Sequence, residues 1–196
     1  MPSPEASLIR LLQAACSGEL AAGYAYRGHA RSVKSAADRA RLRTIESEEW
    51  HHRALVQGLL MELGARPRPV REAVFWLIGH GIGLLCRLGG WFVPMYGAGK
   101  LERTNIVEYE DAARFAAASG HEDMIECLLE MAEVEWEHER FFRERVAGHW
   151  MLRLFPKWEA PPPKEAIRSC YGNLNELQQL SESRQASPAD SSRARG

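Results

Sequence analysis

The chain has no Cys-x-x-Cys pair, and its four cysteines, Cys16, Cys86, Cys127 and Cys170, stand far apart. That spacing excludes a cysteine-built metal cage and points to reduced, structural thiols of an intracellular protein. Net charge is nearly absent: 25 basic residues against 26 acidic ones give -1, which excludes the strongly basic surface that nucleic acid demands. Runs of β-branched residues are scarce, so strands are not expected. No glycine-rich dinucleotide fingerprint occurs, and a nicotinamide site of the usual kind is excluded with it. The opening residues, Met1-Pro2-Ser3-Pro4-Glu5, carry no basic region followed by an apolar run, so no signal peptide is expected and the location read from this is cytoplasmic.

What the chain does have is length and apolar content for one core: 196 residues, 45% of them hydrophobic. Apolar residues recur at three and four spacing through four long segments, which predicts an all-α fold. The first helix is expected over residues 4–33, with Ser3 as cap and Pro4 in the first turn. The second is expected over 36–63, stopped by Gly64, Pro67 and Pro69. The third is expected over 97–119 and ends at Gly120; the fourth covers 122–147 and ends at Gly148. These make one helical-bundle domain over residues 1–155. Beyond it, Pro156, the prolines at 161–163 and a Ser-, Gln- and Arg-rich run predict a largely disordered tail over 156–196. Tyr171, Leu174, Leu177 and Leu180 are spaced for a short docking helix there.

Two copies of one Glu-Trp-x-His signature stand out, Glu49-Trp50-His51-His52 and Glu135-Trp136-Glu137-His138. Residues three apart project from one helix face, so each pair can hold an ion from a single rigid element. The seam of the second helix reads Leu42, Ile45, Glu49, His52, Val56, Leu59, Leu63, and that of the fourth reads Met124, Leu128, Met131, Glu135, His138, Phe142. Both pairs therefore sit in apolar stripes, where a bare carboxylate costs several kcal/mol. On the first helix the seam Leu8, Leu12, Ala15, Glu19, Ala22, Tyr26 contains one acid, Glu19. Glu19 lies about 24 Å of helix before a turn near Ser35 and Glu49 about 21 Å after it, so the two meet at one level.

The third helix offers Glu102, Glu108 and Glu110, and height alone does not choose among them. The seam Ala98, Glu102, Asn105, Tyr109, Ala112, Ala116 buries one acid, whereas the seam through Glu108 would also bury Asp111, which favours Glu102 and leaves Glu108 as the alternative. Glu19 to Tyr26 and Glu102 to Tyr109 share one offset, as in a diverged repeat of two helical hairpins. The metal-ligand set is thus Glu19, Glu49, His52, Glu102, Glu135 and His138, the four-helix arrangement of ferritin-like di-iron proteins. Four carboxylates with two neutral imidazoles balance two divalent ions, and mixed oxygen and nitrogen donors suit iron or manganese, with iron preferred. Tyr26 and Tyr109 are expected beside the ligands. His29, His51, His80, His121 and His149 are read as surface residues or neighbours of the site, and Trp50 and Trp136 as packing residues.

With these residues placed, the chain resembles the demethoxyubiquinone hydroxylase family of ferritin-like di-iron monooxygenases, over residues 14–146. The segment from Gly18-Glu19 through Tyr26-Arg27-Gly28 is similar to that family's first metal helix. Glu49-x-x-His52 and Glu135-x-x-His138 match its paired motifs, and Leu101-Glu102 with Tyr109 resembles its third metal helix. Glu108 stands where the family has a His, and Arg103 where it has an acid. The resemblance implies that Glu49 and Glu135 bridge two irons, that Glu19 and Glu102 are terminal ligands, and that His52 and His138 bind one iron each. It implies hydroxylation of a lipophilic quinone-type ring with O₂, with electrons from a reductant such as NADH. A homo-oligomer is compatible with it.

Residues 73–93 form an apolar stretch containing Trp76, Trp91 and Phe92, but His80, Arg87 and its glycines argue against a spanning helix. Arg71, Arg87 and Lys100 with the aromatics fit a Gly-rich segment lying in a membrane interface, peripherally on the inner face of the cell membrane. Arg66-Pro67-Arg68-Pro69 before it resembles the loop that leads into the family's membrane-contacting helix. A ferritin- or rubrerythrin-type ferroxidase or peroxidase, and a non-catalytic helical interaction protein, are the alternative readings.

Overall fold

Ser3 and Ser35 each accept a hydrogen bond from a backbone N–H three residues on, the geometry that starts a helix. In the computed structural model, which describes residues 2–156 and 158–169, these caps open α1 (Pro4–Ala30) and α2 (Ala36–Glu62). The helices α3 (Pro69–Leu88), α4 (Phe92–Ser119) and α5 (Ile125–Val146) follow. Gly64, Gly90, Gly120 and Gly148 punctuate them at positive φ, a conformation that glycine alone adopts without steric cost. No strand occurs among the described residues. The chain divides into Met1–Pro161 and Pro162–Gly196; of the second unit the described part holds one short helix, α6 (Glu165–Ser169). Cys170 and the expected docking segment at 171–180 lie outside the described residues.

Contacts give the helix directions. Tyr26 reaches Glu102 while Glu19 meets Tyr109, so α1 and α4 run antiparallel. Ser17 meets Glu72 and Tyr24 meets His80, so α3 runs parallel to α1 along its outer side. The core between α1, α2, α4 and α5 is built from the expected seams: Leu8, Leu12, Leu42, Ile45, Leu128 and Phe142 are all fully buried. Near one end, Phe92, Met95 and Tyr96 join Tyr26, Phe142 and Val146, and Phe155 and Trp158 pack on them. The first unit therefore continues past Phe155: Tyr96 donates to the Pro156 carbonyl at 2.6 Å and Trp158 Nε1 to Glu139 at 2.8 Å.

Two elements depart from the sequence reading. The third expected helix begins at Phe92 rather than at residue 97, because Pro94 falls in a first turn that does not use its missing N–H. Gly97 and Gly99 are helical, and a Cβ on Gly99 would stand 2.7 Å from the Trp158 ring, so that glycine allows close packing. Most of the apolar stretch before it, residues 73–88, is helical and laid on α1. A Cβ on Gly79 would come within 2.6 Å of the Ala21 carbonyl, and one on Gly28 within 2.3 Å of Gly83 Cα. The glycines of α3 let two backbones touch, and its larger residues point outward: Leu77, Leu84, Leu85 and Leu88 are exposed. No described helix is long and apolar enough to cross a membrane.

Candidate metal centre

Four helices bring six side chains to one buried place. Glu19 comes from α1, Glu49 and His52 from α2, Glu102 from α4, and Glu135 and His138 from α5, and none is more than 3% exposed. They form two overlapping groups, Glu19, Glu49, His52, Glu135 and Glu49, Glu102, Glu135, His138. In each, donor atoms from all four residues lie within 4.8 Å of one another. Glu49 and Glu135 belong to both. Every residue of the sequence-derived ligand set is here, and Glu108 is not: it is half-buried on a neighbouring cavity wall.

Hydrogen bonds order this cluster from outside. Tyr26 donates to Oε1 of Glu102 and Tyr109 to Oε1 of Glu19, so both tyrosines adjoin the cluster. Asn105 Nδ2 donates to the other Glu102 oxygen at 2.8 Å. His52 Nδ1 lies 2.9 Å from Glu135 Oε1. His138 turns Nδ1 inward, 3.2 Å from Glu49 and 3.3 Å from Glu135, and Nε2 outward to Glu48 at 2.8 Å. Inside that frame, both oxygens of Glu49, Oε2 of Glu135 and Oε2 of Glu19 are buried without a hydrogen-bond partner.

Buried oxygens of this kind are rare because each forfeits its hydration. Their charge is costly as well. Burial, reinforced by the Glu135 charge, raises Glu49 and Glu102 well above the ordinary carboxyl value, and burial raises Glu19. Burial opposes charge on Glu135 too, but the facing His138 and His52 imidazoles hold it below the usual range. Burial works against both imidazolium ions, yet the facing carboxylates raise His52 and His138. Protons and divalent cations thus compete for the same inward atoms. The donor set fits a metal: converging unpartnered oxygens, two imidazole nitrogens and no thiolate, a combination for hard or borderline cations such as iron or manganese.

A cavity of about 170 Å³ reaches Glu19 and Tyr109 from between α1, α3 and α4; Ala14, Gly18, Phe75, Leu101, Thr104 and Arg71 are among its lining residues. Two participants escaped the sequence reading. Glu48 was hidden because its partner His138 is on another helix, and Asn105 because a lone amide on a seam carries no chemical signal of its own. The other histidines divide. His51 and His80 are exposed and His121 and His149 half-buried, but His29, expected at the surface or beside the ligands, is buried, and burial lowers its pKa to about 4. Trp50 packs over Gly23 and Tyr24, and the Arg140 guanidinium lies over the Trp136 ring. The chain matches no known protein family, no curated protein and no solved structure.

Proposed function

We propose that this chain is a non-haem di-iron monooxygenase of ferritin-like four-helix design that hydroxylates a lipophilic aromatic ring, a ubiquinone precursor or close relative, using O₂. The observation that carries this reading is the pair of four-residue groups joined through Glu49 and Glu135, with unpartnered buried oxygens facing inward. Two ions, rather than one, account for six donors divided in this way, and Glu49 and Glu135 are the residues common to both. Iron bound there supplies the one- and two-electron chemistry that O₂ activation requires.

The residues of the chain do the rest. Tyr26, Tyr109 and Asn105 fix the outer carboxylates, and burial limits solvent at the cluster to the side that the Glu19 cavity reaches. The cavity at Glu19 has the volume of a single ring and apolar walls at Phe75 and Leu101, which suits an organic substrate better than ion transit. Arg71, Thr104, Asn105 and Glu108 are polar lining residues placed to orient ring oxygens, the Tyr109 hydroxyl being given to Glu19. A long apolar tail on such a substrate would emerge beside α3, whose exposed face carries Val74, Leu77, Leu84 and Leu85 with Trp76, and arginines at 71 and 87. That composition fits peripheral contact with a membrane. Electrons come from an external reductant of the pyridine-nucleotide class.

Iron content of protein purified anaerobically under reduction tests the metal reading: about two ions per chain are expected, falling on Glu49→Ala or Glu135→Ala. Complementation of a strain lacking quinone hydroxylation, with quinones identified by mass spectrometry, tests the substrate. Rescue by the wild type and none by Glu135→Ala is expected; a loaded iron site without rescue would exclude the quinone substrate.

A further inference from the structure

We propose that the two metal positions are unequal, with Glu48 as a positioning residue: the position formed by Glu49, Glu102, Glu135 and His138 fills first and releases last, and the one containing Glu19 and His52 is exchangeable. This rests on the two-ion reading above. It starts from the outer edge of His138, where Nε2 lies 2.8 Å from a Glu48 oxygen that is itself held by Arg41 at 3.1 Å. A carboxylate can only accept, so the proton of the neutral ring sits on Nε2 and the Nδ1 lone pair faces the buried carboxylates. The ring orientation of this ligand is therefore set before any ion arrives, and the inward Nδ1 is the nitrogen that gives up its proton to bind one. The two Glu-Trp-x-His motifs are not equivalent in this respect. Glu48 directly precedes the first, but the residue preceding the second is Val134, which has no group to offer a histidine.

The carboxylates repeat the difference. Glu102 has both oxygens held, one by Tyr26 and one by Asn105, so little freedom is lost when it ligates. Glu19 has one oxygen held by Tyr109 and one without a partner. Solvent access points the same way: the cavity reaches Glu19 and Tyr109, whereas neither Glu102 nor His138 lines it. An ion on the Glu19 side thus has a route for exchange with water or substrate, while the other is enclosed by orientated ligands.

Metal-free full-length chain titrated with Mn(II) alone, followed by calorimetry and electron paramagnetic resonance, tests this. The wild type is expected to bind one ion at least about tenfold more tightly than the second, with an isolated-ion spectrum at one equivalent and a spin-coupled one at two. Glu48→Ala is expected to weaken the tighter phase about 10- to 100-fold and leave the looser phase in place. Glu48→Gln keeps an acceptor for Nε2 and is expected to recover part of that loss, which a purely electrostatic role would not allow. Glu19→Gln removes the looser phase alone. Two equal phases in the wild type, or loss of the looser phase in Glu48→Ala, would overturn the proposal. Fewer than two ions on the wild type would instead overturn the two-ion reading. Circular dichroism controls for folding, and Glu48, one-third exposed, is not a core residue.

Discussion

Tyr26 on α1 donates its hydroxyl hydrogen bond to Glu102 on α4. The bond has a mirror image in Tyr109 on α4 and Glu19 on α1. Each tyrosine lies two turns from the acid on its own helix and serves the acid on the other. The outer carboxylates are therefore tied across the α1–α4 contact, and helix spacing and ligand spacing are one variable. Burial and the neighbouring acids keep both phenols protonated far above neutral pH, so the bonds persist over the working range.

Replacing Tyr26 by Phe removes that hydroxyl and leaves the ring stacked on Phe142, 5.6 Å between centroids. The fold is expected to survive with a loss of about 1 kcal/mol. Affinity for Mn(II) or Fe(II) is expected to fall about tenfold, because Glu102 is no longer held in place. Denaturant melts and metal titration on the same sample separate the two effects. Unchanged affinity would mean that the hydroxyl does not orient the ligand.

How much of this was legible beforehand divides by periodicity. Glu19, Glu49, His52, Glu135 and His138 could be read because each interrupts an apolar seam, and a charge inside a stripe is visible without coordinates. The Tyr pairing was half legible: the shared offset on α1 and α4 placed both rings near the ligands, but not that each would cross to the opposite helix. Glu48 was illegible, since a solvent-side acid next to a ligand looks like any surface residue until His138 is brought to it. The early start of α4 is not legible because Phe92 and Val93 read as the end of the apolar stretch, when they open the helix. His29 was misjudged for a related reason: position along a helix gives its face, not what covers that face.

Glu49 presents two buried oxygens without partners at the centre of the cluster. In chelator-treated protein that is a cost, so Glu49→Met is expected to raise stability by about 1–2 kcal/mol, since apolar replacement of a buried ionisable group is often stabilising. The same change is expected to reduce bound iron from about two ions to at most one, because Glu49 belongs to both four-residue groups. Opposite signs in the two measurements are the mark of a functional residue held at the expense of stability. A variant that is less stable and still binds two ions would show Glu49 to be a packing residue.

The glycines shared by α1 and α3 separate contact from chance. A Cβ on Gly28 meets Gly83 backbone atoms at 2.3 to 2.6 Å, whereas one on Gly81 meets nothing within 4 Å. Gly28→Ala must push the helices apart and is expected to cost about 1–3 kcal/mol. Gly81→Ala, on the exposed side of α3, is expected to gain about 0.5–1 kcal/mol from helix propensity. Thermal melts of the two single variants decide the matter; equal effects would mean that α3 does not rest on α1 by backbone contact.

His29 makes the acid side of the stability profile assignable to one residue. Burial lowers its pKa from the ordinary 6.5 to about 4, and its Nε2 has no hydrogen-bond partner. Below pH 6.5 the unfolded chain takes up a proton that the folded chain refuses until the pH nears 4, so unfolding is favoured as pH falls through that interval. Above 6.5 both states are neutral and the residue is silent. Its share of the loss between pH 7.5 and 5.5 is on the order of 1 kcal/mol. His29→Leu removes the titrating ring and the orphaned nitrogen together, so the variant is expected to keep its pH 7.5 stability to within about 1 kcal/mol and to lose less on acidification. Urea unfolding at the two pH values measures the difference of differences, in which the metal-site groups cancel. An identical pH slope in the two proteins would show that His29 gains its proton without unfolding and that its buried site opens to water.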